Sequence, residues 1–223
     1  MLFFEKNIKF ESRQIFVNLV ENFVLIIMNH LKLVVVGPNK CGKSYICNYL
    51  SETVEQVTGG YHPTSGVRIL EYEQKVKIKG KISKVEVELW DASGDKKYET
   101  CWPAIFKGSN GIVFVYNPDN PNHVNDLQNW WVFLTATFCR YRAVPPSLGL
   151  SEQQMCIICH KKPDTSFRDP VSLPDDLHKI LHLFSNIPKD GERLKEKFGK
   201  FVSHVAWGRV EASEQEELQI MNS

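Results

Sequence analysis

Three features are missing from this sequence, and each absence removes a class of protein. No apolar run near the amino end approaches the ~20 residues needed to cross a bilayer. The longest there goes only from Phe23 to Met28, after Glu11, Arg13, Asn18, Glu21 and Asn22 have broken up what precedes it. That stretch also lacks the small-residue cleavage site of a signal peptide. Leu2 stands where myristoylation needs glycine, and the last residues, EELQIMNS, hold no cysteine to prenylate. The expectation is a soluble chain with no direct membrane anchor. Charge of one sign is missing too: 27 Lys and Arg face 26 Asp and Glu, a net +1, so no field points to nucleic acid as a partner. A disulfide framework is the third absence. The six cysteines, at 41, 47, 101, 139, 156 and 159, are scattered through apolar stretches of a 223-residue chain, which favours a reducing compartment.

What is present alternates between strand and helix patterns. KLVVV closes a buried-strand run at 30–36 and breaks at Gly37; residues 43–50 then open a helix. Residues 54–66 read as loop, with Gly59, Gly60 and Pro63. VRILEYEQKVKI (67–78) and KVEVELWD (84–91) alternate with a period of two around a turn at GKIS (80–83), the pattern of an antiparallel hairpin. Lys75, Lys77 and Lys79 share one face of the first strand and Glu86 and Glu88 one face of the second, so these charges are expected to pair across the strands. GIVFVYN (111–117), MCIIC (155–159) and KILHLFS (179–185) are further strand candidates.

Two helices complete the pattern. Between 123 and 138, Val124, Leu127, Trp131, Leu134 and Phe138 fall on one helical face, and a core role suits these aromatic residues better than a cofactor box. Leu194, Phe198, Phe201 and Val205 mark an amphipathic helix over 190–207. The Glu-rich tail from Gly208 is expected to be disordered. The alternation predicts an α/β fold with a mostly parallel sheet.

GPNKCGKS (37–44) fits G-x-x-x-x-G-K-[ST] and lies between a buried strand and a helix, where a phosphate loop belongs. Gly37 and Gly42 let the backbone wrap a polyphosphate with N–H groups inward. The helix start contributes its positive dipole end. Lys43 neutralises the outer phosphates, and Ser44 offers a hydroxyl to magnesium. A second short motif competes for attention. CIICHKKPD (156–164) contains Cys156-x-x-Cys159-His160, the spacing of c-type haem attachment and a hint of zinc, though the same letters also read as an apolar strand running into a loop.

Downstream of the phosphate loop, ELWDASGD (88–95) resembles the W-D-x-x-G stretch of small GTPases, and HPTSGVRIL (62–70) resembles the first switch of Rab-type members. Asp91 at a strand end can hold magnesium through water, Gly94 leaves room for its N–H to meet a γ-phosphate, and Thr64 can close over the metal only when that phosphate is present. YHPTSGVRILEYE, ELWDASGDKKYETCWPAIFK and the NGIVFVYN strand together are similar to the intraflagellar transport protein 22, or Rab-like protein 5, family. Tyr98, Glu99, Cys101, Trp102 and Pro103 are the most specific part of the match. The resemblance implies a P-loop, Ras-like G domain over residues 29–206 with a six-stranded, mostly parallel sheet flanked by helices. Residues 1–28 form an amino-terminal extension outside the pattern, with Met28 just before the point where the family begins, and residues 207–223 form the acidic tail.

The resemblance also implies a site. GTP or GDP with Mg2+ would lie on Gly37, Asn39, Lys40, Cys41, Gly42, Lys43, Ser44 and Tyr45, with Thr64 and Gly94 at the γ-phosphate and Ser44, Thr64 and Asp91 at the metal. It puts CIICHKKPD on the fifth strand and the base-reading loop. Cys156 and Cys159 then face opposite sides of a strand and cannot share a metal. Where the family reads N-K-x-D, this chain has Lys161, Lys162, Pro163 and Asp164. Asp164 could still accept from guanine and Lys162 cover the base, but Lys161 has no acceptor to replace the asparagine that ties this loop to the phosphate loop. Losing one or two such bonds costs roughly 0.5–1.5 kcal/mol each. Ser185 and Asn186 align with the short S-A-K turn.

Catalysis looks weakened: Asp95 stands where rapid GTPases have glutamine, and Asn39 crowds the water position, so hydrolysis is expected to be slow or absent. The family implies a nucleotide-dependent subunit of intraflagellar transport complex B, working in the cilium or flagellum and at the basal body with a cytoplasmic pool. It would dock on coiled-coil subunits through the switch regions, with Tyr98, Trp102, Ile105 and Phe106 as contact candidates. A structural adaptor with fixed or absent nucleotide, and more remotely a P-loop kinase or ATPase, are the competing classes.

Overall fold

The computed structural model describes residues 30–53, 62–78, 80–140, 151–161 and 173–221. Six strands form one sheet in the order β2-β3-β1-β4-β5-β6. They are β1 (His30–Val36), β2 (Val67–Ile78), β3 (Lys81–Ala92), β4 (Gly111–Tyr116), β5 (Met155–His160) and β6 (Leu181–Ser185). Only β2 and β3 are antiparallel; every other neighbouring pair is parallel, as the alternation of elements predicts. The helices are α1 (Lys43–Leu50), α2 (Trp102–Phe106, entered through a 3-10 turn at Lys96–Cys101), α3 (Asn122–Arg140) and α4 (Ile187–Met221). Among the described residues no helix is long and apolar enough to cross a membrane.

The period of two decides which layer each strand residue joins. Leu31, Leu33 and Val35 of β1 pack with Ile46 and Cys47 of α1 and with Leu194, Phe198 and Phe201 of α4. Val34 and Val36 face the other way, toward Trp102 and Phe106 of α2 and Leu127 and Leu134 of α3. Both faces are covered, so β4 and β5 are buried along their whole length. Cys156 lies in the first layer and Cys159 in the second. The haem-like spacing is therefore an accident of a buried strand.

Three expectations need correction. The glutamates and lysines of the hairpin do not oppose one another. A tight connection with Gly80 (φ 80°) before β3 accompanies the register Glu71↔Glu88, Glu73↔Glu86 and Lys75↔Lys84. Like charges are opposite, and relief comes diagonally from Lys84 to Glu73 at 2.6 Å and sideways from Glu88 to His30 of β1 at 2.8 Å. Lys79 is outside the described residues. On α3 the buried tryptophan is Trp130, while Trp131 is half-buried, because Trp130 packs against Trp102 of α2 with ring centroids 4.0 Å apart and planes tilted by 37°. The tail expected to be disordered is helical: α4 runs to Met221 after a non-helical residue at Asp190 (φ −124°, ψ 22°). Arg209 donates from its guanidinium to the His30 carbonyl and Val210 is buried, which extends the helix past the sheet edge.

Candidate functional site

The carboxyl ends of β1, β3 and β5, the start of α1 and the turn after β6 meet at one end of the sheet, the usual location for a ligand in an open parallel sheet. The loop between β1 and α1 turns through two left-handed residues, Lys40 (φ 60°) and Gly42 (φ 98°). Gly42 is the residue before the first helical turn, with no side-chain cap, so the first N–H groups of α1 are left to a ligand. Lys43 folds back over the loop. It is 7% exposed, and its Nζ donates to the Gly37 carbonyl at 2.9 Å and the Pro38 carbonyl at 2.8 Å. Asn39 and Lys40 are exposed, and Cys41 is buried, its thiol pushed up mainly by burial.

Three oxygens from distant parts of the chain converge beside this loop. Ser44 Oγ is 2.9 Å from Thr64 Oγ1, and the Thr64 hydroxyl donates to Asp91 Oδ2 at 3.2 Å. Asp91 is wholly buried at the end of β3, and burial raises its carboxyl above the usual range even though Ser44, Lys43 and Arg68 pull it down. Arg68 Nη2 approaches Asp91 Oδ2 at 3.5 Å and donates to Asn48 Oδ1 at 2.7 Å. The other carboxylate oxygen, Asp91 Oδ1, is buried with no hydrogen-bond partner. A hydroxyl, a hydroxyl and a carboxylate with an unused oxygen form the hard donor set a magnesium ion takes.

The segment after β3 closes against the phosphate loop. A Cβ on Gly94 would lie 2.4 Å from the Gly37 oxygen and 2.9 Å from the Asn39 nitrogen. Only glycine permits that approach. Asp95 does not face the loop as a free base. Its Oδ1 caps the following 3-10 turn by accepting from Lys97 N at 3.1 Å, and its Oδ2 pairs with Lys97 Nζ at 3.1 Å. The lysine backbone bond holds its carboxyl below the usual range. Trp102, Ile105 and Phe106, expected as contact candidates, are buried in the α2–α3 core. Tyr98 is half-buried, with Lys97 Nζ 5.0 Å from its ring centre.

At the base-facing side, Lys161 N donates to the Ser185 carbonyl at 2.8 Å, and Asn186 Oδ1 is buried without a partner. Lys162 and Asp164 lie outside the described residues. Tyr45, on the first turn of α1, is 49% exposed. The residue that sequence reasoning passed over is His160, the last of β5. It is 3% exposed, its Nδ1 is 3.1 Å from Ser185 Oγ, and its ring centre is 5.7 Å from that of Tyr45. A polar residue ending a buried apolar strand was the available clue.

Comparison with known proteins bears on family and fold. The family model described as Ras of Complex, Roc, domain of DAPkinase matches residues 32–144. The intraflagellar transport protein 22 homolog of Danio rerio is 38% identical over 196 residues, 87% of this chain and 100% of that protein. The Homo sapiens homolog is 34% identical over 192 residues, 85% of this chain and 97% of that one. Among solved structures, the GTP-bound crystal structure of T. brucei IFT22/74/81 is similar with a TM-score of 0.61 and 26% identity, covering 82% of this chain and 98% of the matched chain.

Proposed function

Because this chain belongs to the intraflagellar transport protein 22 family of small GTPases, we propose that it binds GTP and GDP with Mg2+ and serves as a nucleotide-dependent subunit of intraflagellar transport complex B. The observation that carries the reading is the convergence of Ser44, Thr64 and the buried Asp91 beside a phosphate loop whose lysine is already folded inward. Lys43 neutralises the outer phosphates from its place folded back over the loop. The Ser44 and Thr64 hydroxyls and the Asp91 carboxylate would hold the ion, which would supply neutralisation of phosphate charge. The Gly94 N–H meets the γ-phosphate from the other side. Thr64 then leaves its bond with Asp91 only when a triphosphate is present, and this makes the loop before β2 a switch.

Hydrolysis is slow in this reading. Asp95 is committed to Lys97 as a helix cap and ion-pair partner, so no side chain at that position orients water. The base is read by Asp164, covered by Lys162 and bounded by Ser185 and Asn186. The partners are coiled-coil subunits, by analogy with the T. brucei complex that contains IFT74 and IFT81. The docking face is built from the exposed Ile69 of β2 and from Tyr98 rather than from the buried Trp102. Action in the cilium and at the basal body, with a cytoplasmic pool, follows from that partnership. Calorimetric titration with GTP, GDP and ATP, with and without magnesium, tests the reading. Magnesium-dependent binding of both guanine nucleotides with weaker ATP binding supports it, and no heat with any nucleotide overturns it.

A further inference from the structure

His160 reaches the phosphate loop, the start of α1 and the end of β6 at the nucleotide-facing end of the sheet, and no part of the phosphate motif accounts for it. It ends β5, and the alternation that sends Cys159 to the α2–α3 side turns His160 to the side of α1 and α4. Its ring meets residues of the β6 end, the phosphate loop and α1. Nδ1 shares a hydrogen bond with Ser185 Oγ at 3.1 Å, at the end of β6. The opposite edge lies on the phosphate loop, close enough that a Cβ on Gly42 would be 2.4 Å from Cδ2 and 3.0 Å from Nε2. One face looks to Tyr45 on the first turn of α1. Next along the chain, the Lys161 N–H is bonded to the Ser185 carbonyl, so side chain and backbone clamp the same serine.

We propose that His160 is a positioning residue that couples the phosphate loop to the β6 turn, performing through its imidazole the tie that Lys161 cannot make. The physical requirement is specific. A nucleotide spans the phosphate loop at one end and the β5 and β6 ends at the other, and its residence depends on the two halves being held in a fixed relation. Among the described residues no disulfide links them at this end. An imidazole is flat enough to slide beside a glycine, and it is rigid, with only two torsions to freeze. It also carries a ring nitrogen opposite the edge that meets the glycine. Gly42 is glycine for this reason as well as for its left-handed backbone: the ring occupies the space a side chain would need. A filler role alone would leave the Ser185 hydrogen bond without consequence.

This inference rests on the nucleotide reading, and its test separates the two. The readout is the release rate of a fluorescent methylanthraniloyl GDP from the full chain with magnesium, alongside thermal melting of each variant. His160→Ala and Ser185→Ala should each speed release on the order of tenfold, the effect of one buried hydrogen bond. The double variant should be no faster than His160→Ala, because both remove the same link. His160→Phe keeps a flat ring, one atom larger, and removes the bond, so it should release as fast as His160→Ala without a large fall in melting temperature. His160→Asn, whose amide can reach the serine, should recover most of the wild-type rate. Wild-type release from His160→Phe, or additive effects of the His160 and Ser185 variants, would overturn the coupling while leaving nucleotide binding intact. A wild-type chain that retains no labelled GDP would overturn both.

Discussion

The Thr64 hydroxyl donates to Asp91 Oδ2 at 3.2 Å, joining positions 27 residues apart. One is on the loop before an edge strand and the other at the buried end of its hairpin partner. The contact holds the switch segment on the carboxylate that a metal ion would use, so threonine and ion are linked through one group. Asp91 Oδ1 remains without a partner, and a buried carboxylate oxygen in that state is a standing cost of order 1–3 kcal/mol.

That cost gives a prediction with a defined sign. Burial raises the Asp91 carboxyl, so the folded chain binds its proton more tightly than the unfolded chain does. Asp91 therefore subtracts stability. The penalty is absent below the ordinary aspartate range, grows as pH rises toward the raised value, and persists in full above it. Asp91→Asn should melt higher than wild type at neutral pH without nucleotide, and the gap should close in acid. Magnesium and GTP at a hundredfold excess over Kd should stabilise wild type by about 2.7 kcal/mol, or roughly 5–10 °C for a chain of this size. The variant should lose most of that gain. Differential scanning fluorimetry across pH, with and without magnesium-GTP, checks both. A lower melting temperature for Asp91→Asn at neutral pH would show that its bonds to Thr64 and Arg68 outweigh its burial.

Asp95 yields a second expectation. As the cap of the turn at Lys96–Cys101 it is held by Lys97 through two contacts, and its lowered carboxyl keeps it ionised through the neutral range. Asp95→Gln should raise single-turnover GTP hydrolysis roughly a hundredfold, the low end of what a positioned proton-handling group gives. Asp95→Ala should lose the cap without that gain. Wild-type turnover should show no pH step from this carboxylate between about pH 5 and 8. Chromatographic measurement of GDP formed from a stoichiometric charge of GTP decides it; equal rates for all three proteins would remove Asp95 from the account.

Local chemistry was legible and long-range packing was not. The phosphate loop could be read because strand, loop and helix are contiguous and their residue types are dictated by the backbone path. The opposite facing of Cys156 and Cys159 needed only the strand period. Pairing of the hairpin charges was misjudged because register depends on turn length, and moving the turn from 80–83 to the short connection before Lys81 changes every partner. Trp130 and Trp131 are adjacent, and which one is buried was decided by Trp102, a residue 28 positions away in chain order that no helical pattern on α3 contains. His160 was missed because its partners, Gly42 and Ser185, lie on two other segments.

The burial of Trp102 changes what its replacement should do. It packs against Trp130 at 4.0 Å and meets Phe133 edge-on at 5.0 Å. Trp102→Ala should cost about 3–5 kcal/mol of stability and reduce capture of transport subunits only as far as it unfolds the domain. Ile69, 46% exposed on β2, is the better probe of a docking face. Ile69→Lys should keep stability within about 0.5 kcal/mol and still weaken capture of the subunits. Co-purification measured beside thermal melting separates the cases. Stable Trp102→Ala protein with lost capture would restore that residue to the interface.

The carboxyl-terminal helix divides at the edge of the sheet, and truncation should find the division. Up to Val210 the helix has tertiary support: Val210 is 2% exposed, and the Arg209 guanidinium donates to the carbonyl of His30, where β1 begins. Beyond it, Leu218 is 57% exposed. An isolated helix of such length is marginal in water because nucleation is costly, so these last turns persist by propagation from the docked part. Deleting residues 215–223 should therefore leave the melting temperature nearly unchanged while lowering helical circular dichroism. Deleting residues 208–223 also removes a fully buried valine side chain, worth about 1.5–3 kcal/mol, which corresponds to a fall of roughly 3–12 °C. If the shorter deletion destabilises as much as the longer, the last turns contribute contacts of their own, and the boundary between docked and free helix lies beyond Val210.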